Sequence, residues 1–150
     1  MEAVMDEPIQ LSFPLPRSLD TRIHLRLTIK SKVILLFLTT MAADEEDNAA
    51  PMGSLVYSIP DKYNPSQPLS TTIYSVEATI EFTTRLAKIL AKKTQRPVYV
   101  GNSISFASTG LGGTVEEEME ALKRVVDVSL DKLQGVIKSP DALPNGMGSS

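Results

Sequence analysis

Chemistry, if this chain performs any, would have to come from three places. The single histidine, His24, lies between Arg22 and Arg26. A catalytic imidazole needs a carboxylate to orient it or a nucleophile to deprotonate, and its sequence neighbours are cations, so a structural, exposed position is expected. Gly110-Leu111-Gly112-Gly113 precedes a helical pattern, as a phosphate-binding turn would. No Lys-Ser/Thr follows the glycines, and Glu116, Glu117 and Glu118 at the helix start would repel a phosphate. A plain strand-to-helix turn is the better reading. The carboxylates from Glu116 to Glu120 could hold a metal only in pairs three or four residues apart, since neighbouring helical positions diverge. No His or carboxylate set repeats at ligand spacing. Neither a cofactor, a metal nor a catalytic residue is therefore expected.

Composition narrows the classes further. The chain has 150 residues, 42% hydrophobic and 22% charged, the profile of one ordinary globular domain with enough apolar residues for a core. A net charge of −3 with no cluster of cations beyond Lys92-Lys93 argues against nucleic-acid binding. The absence of cysteine excludes disulfides, thiol catalysis and Cys-based zinc sites, and suits the cytoplasm or nucleus. No signal peptide is read in the first thirty residues. The most apolar run, Val33 to Leu38, is far shorter than the roughly 20 residues of a membrane helix, so neither a membrane span nor a membrane partner is expected.

The elements that would carry any site follow from periodicity. Ile9, Leu11 and Phe13 alternate with polar residues up to Pro14-Leu15-Pro16, a short strand. From Thr21 to Ile29, isoleucines and leucines alternate with Arg22, His24, Arg26 and Thr28, predicting a strand with one wet face. Lys30-Ser31-Lys32 forms a turn into a second strand, 33–41, making a hairpin. Val33 to Leu38 has no polar face, so both sides of this strand are expected to be covered, one by helices and the other by a further layer or a partner. An acidic loop follows at 42–53, including Asp44-Glu45-Glu46-Asp47, and strands are read at 54–59 and around 69–74. Val76, Ile80, Thr83, Leu86 or Ala87 and Leu90 recur at helical spacing, broadened by Phe82 and Ile89, predicting a helix over 77–94. A strand begins at Val98 and extends toward Phe106. Thr114 and Glu117 form a capping box for a last helix ending near 138, its stripe made of Val115, Met119, Leu122, Val126, Leu130 or Ser129, Leu133 and Ile137. The fold class is α+β: an antiparallel sheet of about six strands with two helices on one face. Residues 1–8 are read as a loose N-terminus, 9–138 as the domain and 139–150 as a flexible tail.

Leu86 to Val100, LAKILAKKTQRPVYV, followed by Gly101-Asn102-Ser103-Ile104 and by TVEEEMEAL from Thr114 to Leu122, resembles the proteasome assembly chaperone 4 family. The resemblance implies a non-catalytic chaperone that pairs with a second small chaperone similar to proteasome assembly chaperone 3. The pair would bind alpha-type subunits, notably the fifth, while the alpha ring of the 20S proteasome forms. The acidic loop 43–50 and the C-terminal tail match no feature of that family. Gly146-Met147-Gly148-Ser149-Ser150 lacks the hydrophobic-Tyr-any ending that other proteasome chaperones insert into ring pockets, so docking by that route is not expected. A partner sheet would cover the second face of the apolar strand, through either Ile34, Leu36 and Leu38 or Val33, Leu35 and Phe37; alternation puts these two rows on opposite sides and leaves the choice open. A dimeric α+β scaffold of a trafficking or signalling complex would share the same element order.

Overall fold

The clean alternation after Thr21 builds a strand whose hydrophobic side must be covered. In the computed structural model, which describes residues 8–15, 18–42, 53–104 and 114–141, that strand is β2 (Ser18–Lys30), flanked by β1 (Ile9–Leu15) and β3 (Val33–Ala42). β2 and β3 pair antiparallel from Lys30↔Val33 to Thr21↔Ala42. Their turn is made by Ser31 and Lys32, both left-handed with φ of 51° and 69°, the backbone that matches the twist of a two-residue hairpin. The remaining elements are β4 (Ser54–Ile59), β5 (Leu69–Tyr74), α1 (Glu77–Thr94), β6 (Val98–Ser103) and α2 (Val115–Asp141).

The six strands form one sheet in the order β1-β2-β3-β6-β4-β5. It is mixed where sequence predicted it antiparallel: β3 and β6 run parallel, from Ile34↔Val98 to Thr39↔Ser103. The cause is α1. β5 and β6 both lie antiparallel to β4, so the chain crosses over β4 through α1 and returns in the same direction, entering the gap between β4 and β3. Such a crossover needs a helix, whereas the hairpins need only short turns.

Parity across this sheet decides what is core. Leu25↔Leu38, Leu27↔Leu36 and Ile29↔Ile34 face one side, continued by Val98 and Val100 on β6 and by Val56 on β4. All are buried, in a single cluster with Phe82, Leu86, Ala87, Leu90 and Ala91 of α1 and Ala121, Leu122, Val125, Val126 and Leu133 of α2. Both helices therefore lie on this inner face, as expected. α1 has the predicted limits and ends on Gln95, left-handed at φ 55°, whose N–H bonds the Ala91 carbonyl at 2.8 Å. α2 starts on Thr114, whose Oγ1 accepts the Glu117 N–H at 3.2 Å. Its buried stripe keeps the expected Leu122, Val126, Ser129 and Leu133 and is widened by Glu117, Ala121 and Val125, while Val115 and Met119 remain exposed. Small side chains at 121 and 129 let the helix approach closely there, and Met119 is left at the α1–α2 rim, its sulfur 3.5 Å from the Arg85 guanidinium. α2 also runs to Asp141, through Pro140 and past the predicted end; a proline near a fraying terminus removes only one intrahelical bond. β6 stops at Ser103, short of the expected extension, and residue 106 lies outside the described residues, as do the acidic loop, the glycine turn and the tail.

A buried polar chain ties α1 to the sheet. Ser54 Oγ accepts the Val76 N–H at 2.9 Å and lies 2.8 Å from Thr79 Oγ1. Thr83 Oγ1 donates to the Thr79 carbonyl at 2.6 Å and accepts from Asn102 Nδ2 at 3.2 Å. Asn102 Oδ1 accepts the Ile104 N–H at 2.9 Å. Replacing one partner of such a pair strands the other in a dry site. Thr83→Val, close to isosteric, should lower stability by about 1–3 kcal/mol in urea unfolding; an unchanged midpoint would mean that the chain contributes nothing to docking α1.

A candidate partner-binding face

Once the inner rows are occupied, the outer rows have no helix above them among the described residues. β3 contributes Val33, Leu35 and Phe37, β6 contributes Tyr99 and Gly101, and β4 contributes Leu55, Tyr57 and Ile59, by the same pairings that set the core. β2 adds Arg22, His24, Arg26 and Lys30, a basic rail beside an apolar field. Among the described residues the predicted double coverage of Val33 to Leu38 is thus half met. Ile34, Leu36 and Leu38 are locked under the helices, whereas Val33 and Leu35 are partly exposed and Phe37 is 41% exposed.

Two contacts organise the face. The Tyr57 and Tyr99 rings pack across β4 and β6 with centroids 4.4 Å apart and a tilt of 32°. Phe37 lies directly over its partner Gly101: a Cβ placed there would stand 2.6 Å from Phe37 Cδ1. The missing side chain is what lets the ring lie down on the sheet. Beside it a trough of about 510 Å³ opens between Gln10, Ser12, His24, Arg26, Thr39 and Ser103. Arg22 is tied across to β1, donating from Nε to Ser12 Oγ at 3.2 Å and from Nη2 to the Ser12 carbonyl at 2.9 Å. His24, half-buried in the trough wall, has cations for near strand neighbours and no carboxylate among the described lining residues.

Sequence reasoning named the Val33 row but missed Tyr57, Tyr99 and Gly101. Alternation within 54–59 could have marked Leu55, Tyr57 and Ile59 as one row. That Gly101 sits opposite Phe37 needs the parallel register, which no local pattern encodes. Among the described residues no group of three or more His, Cys, Asp or Glu side chains could hold a metal, and no helix is long and apolar enough to cross a membrane.

The geometry defines a small α+β domain with two helices on one sheet face and an aromatic row on the other. The same fold occurs in a chain of the crystal structure of a chaperone complex for yeast 20S proteasome assembly, with a TM-score of 0.56 over 86% of this chain and 95% of that one, at 14% identity. Eight chains of known structure match in all, and no curated protein matches in sequence. The family model for proteasome assembly chaperone 4 matches residues 22–104, more than half of the chain, from within β2 to just past the end of β6. The chain belongs to the proteasome assembly chaperone 4 family.

Because the Phe37 ring fills the space a Cβ would take, Gly101→Ala should destabilise the protein by about 1–3 kcal/mol through overpacking. Phe37→Leu in the same background should recover part of that loss, since the two positions are coupled. Additive effects in thermal unfolding of the single and double variants would mean that the ring does not depend on the glycine.

Proposed function

We propose that this protein is a non-catalytic chaperone of 20S proteasome assembly, acting as one half of a heterodimer with a proteasome assembly chaperone 3-like partner. The pair binds alpha-type subunits, notably the fifth, during alpha-ring formation, in the cytoplasm and also the nucleus. The observation that carries this reading is an open sheet face, apolar at its centre, on a chain of the proteasome assembly chaperone 4 family. Of the two candidate rows, Val33, Leu35 and Phe37 is the one left accessible, so the partner is assigned to that row together with Tyr57 and Tyr99.

The dimensions suit the role. Six strands about 4.8 Å apart, each presenting five or six residues of about 3.3 Å, give a projected face of roughly 500 Å². Side-chain relief raises the accessible area toward the roughly 800 Å² per partner of a standard interface. An apolar centre bordered by the cations of β2 has the layout of an interface core with its rim.

Affinity purification of the tagged protein from its own cells should recover a second small chaperone and free alpha-type subunits with little mature proteasome. Phe37→Asp should abolish recovery of the small chaperone while leaving the protein folded by circular dichroism. Recovery of neither partner from an extract rich in alpha subunits would return the chain to the scaffold class, and partner recovery undiminished by Phe37→Asp would move the interface off this face.

A further inference from the structure

The two edges of the sheet are built differently. β1, at one end, carries Pro14 within the strand, a residue that cannot donate to a neighbouring strand and so blunts an edge. β5, at the other end, reads LSTTIY and is exposed along its whole length. It has no charge and no proline, and its large side chains lie open: Leu69 and Tyr74 are each 55% exposed and Ile73 is 50% exposed. Among the described residues only β4 pairs with it, so alternate residues present backbone N–H and C=O groups to a side that no described strand occupies. Natural edges of this kind are usually protected by lysine, proline or a covering element.

Next to the start of β5 lies a second trough of about 510 Å³, walled on one side by Pro68 and Leu69 and on the other by Lys88, Ile89 and Lys92 of α1. Lys88 and Lys92 stand one turn apart on the same helix face, where like charges repel, and neither ammonium group has an ion-pair or hydrogen-bond partner among the described residues. Lys62 and Lys93 are exposed nearby in sequence. The lining carboxylate is Asp61, and its Oδ1 accepts the Tyr63 N–H at 2.9 Å. That bond belongs to an ordered turn, with Asn64 N–H on the Asp61 carbonyl and Gln67 N–H on the Asn64 carbonyl at 3.2 and 2.9 Å. The turn holds Tyr63 out at 97% exposure, an amphipathic ring of the kind that anchors interfaces.

We propose that the free edge of β5 accepts an extended, acidic segment of a partner protein as an added strand, its carboxylates meeting Lys88 and Lys92 and its apolar side chains lying on Leu69 and Ile73. Main-chain pairing along an open edge supplies affinity, and the flanking side chains supply selectivity. A second copy of this chain fits less well, because β5 itself brings no carboxylate to the two lysines. The site is at the opposite edge of the sheet from the β2 rail and uses none of Val33, Leu35, Phe37, Tyr57 or Tyr99.

The test uses the full chain and two acetylated eight-residue peptides, one alternating valine with glutamate and the other valine with lysine. The glutamate peptide should bind and slow amide exchange in 69–74, and the lysine peptide should bind at least about tenfold more weakly. Lys88→Glu with Lys92→Glu should invert that preference, and Ile73→Lys should reduce binding of both peptides. Phe37→Asp should leave the glutamate peptide's affinity unchanged, so that failure of the open-face assignment and failure of this one are told apart. The proposal is overturned if neither peptide protects β5, if the charge reversal leaves the preference as it was, or if the chain alone forms dimers that Ile73→Lys dissolves.

Discussion

β6 enters the sheet last of all the strands and in its middle, and its register against both neighbours decides the rest of the molecule. Ile34↔Val98 and Leu36↔Val100 on one side, and Val56↔Val100 on the other, put three strands' apolar rows on the same face. Side chains alternate with a period of two, so a slip of one residue would turn Val98 and Val100 outward and bring Tyr99 and Gly101 under the helices. Gly101 would then leave a void beneath α1 where Val100 now fills space. The Ile34 N–H on the Pro97 carbonyl, 3.0 Å, fixes the point at which parallel pairing begins.

The register is reinforced by groups that are not apolar. Asn102 sits at the end of the buried row of β6, opposite Ser54 at the start of β4, and both belong to the polar chain that reaches Thr79 and Thr83 on α1. Gly53, just before β4, has φ of 71°, and a Cβ there would meet the Asn102 carbonyl oxygen at 2.0 Å. Only glycine permits that approach. β4, β6 and α1 are thus held together at one end by directional bonds. The β2–β3 half of the inner face relies mainly on leucine and isoleucine, with Thr21 and Thr40 at its far end, and nonpolar packing is more tolerant of small displacement than a chain of hydrogen bonds.

What was legible in the sequence follows the same division. Local periodicity placed β2, β3, β4, β5 and α1 correctly, because each has a pattern carried by its own residues. The capping threonine of α2 was equally local. The parallel β3–β6 pair was not legible, since a crossover is a relation between distant segments. The first turn of α2 was misread because Glu117 reads as a surface residue and Met119 as core, whereas Glu117 is buried and Met119 lies at the α1–α2 rim. For the open face, the strand Val33 to Leu38 announced two apolar rows but left open which one the helices would take. That depends on the parity of the whole sheet. The family resemblance rested on 86–104, which lies inside the matched span, and on 114–122, which lies beyond it.

Folding and association are separable in such a design. The inner core runs from Phe13 on β1 to Leu133 on α2 without using a single side chain of the Val33, Leu35 and Phe37 row, so the domain has its main source of stability before any partner arrives. The outer row is constrained only by the requirement that it lie flat, which Gly101 and the Tyr57–Tyr99 pair satisfy. A surface whose side chains are positioned in advance loses little conformational freedom on binding. A face that lies outside the core can change with its partner while the core stays as it is, whereas in an obligate interface binding and folding would be one event.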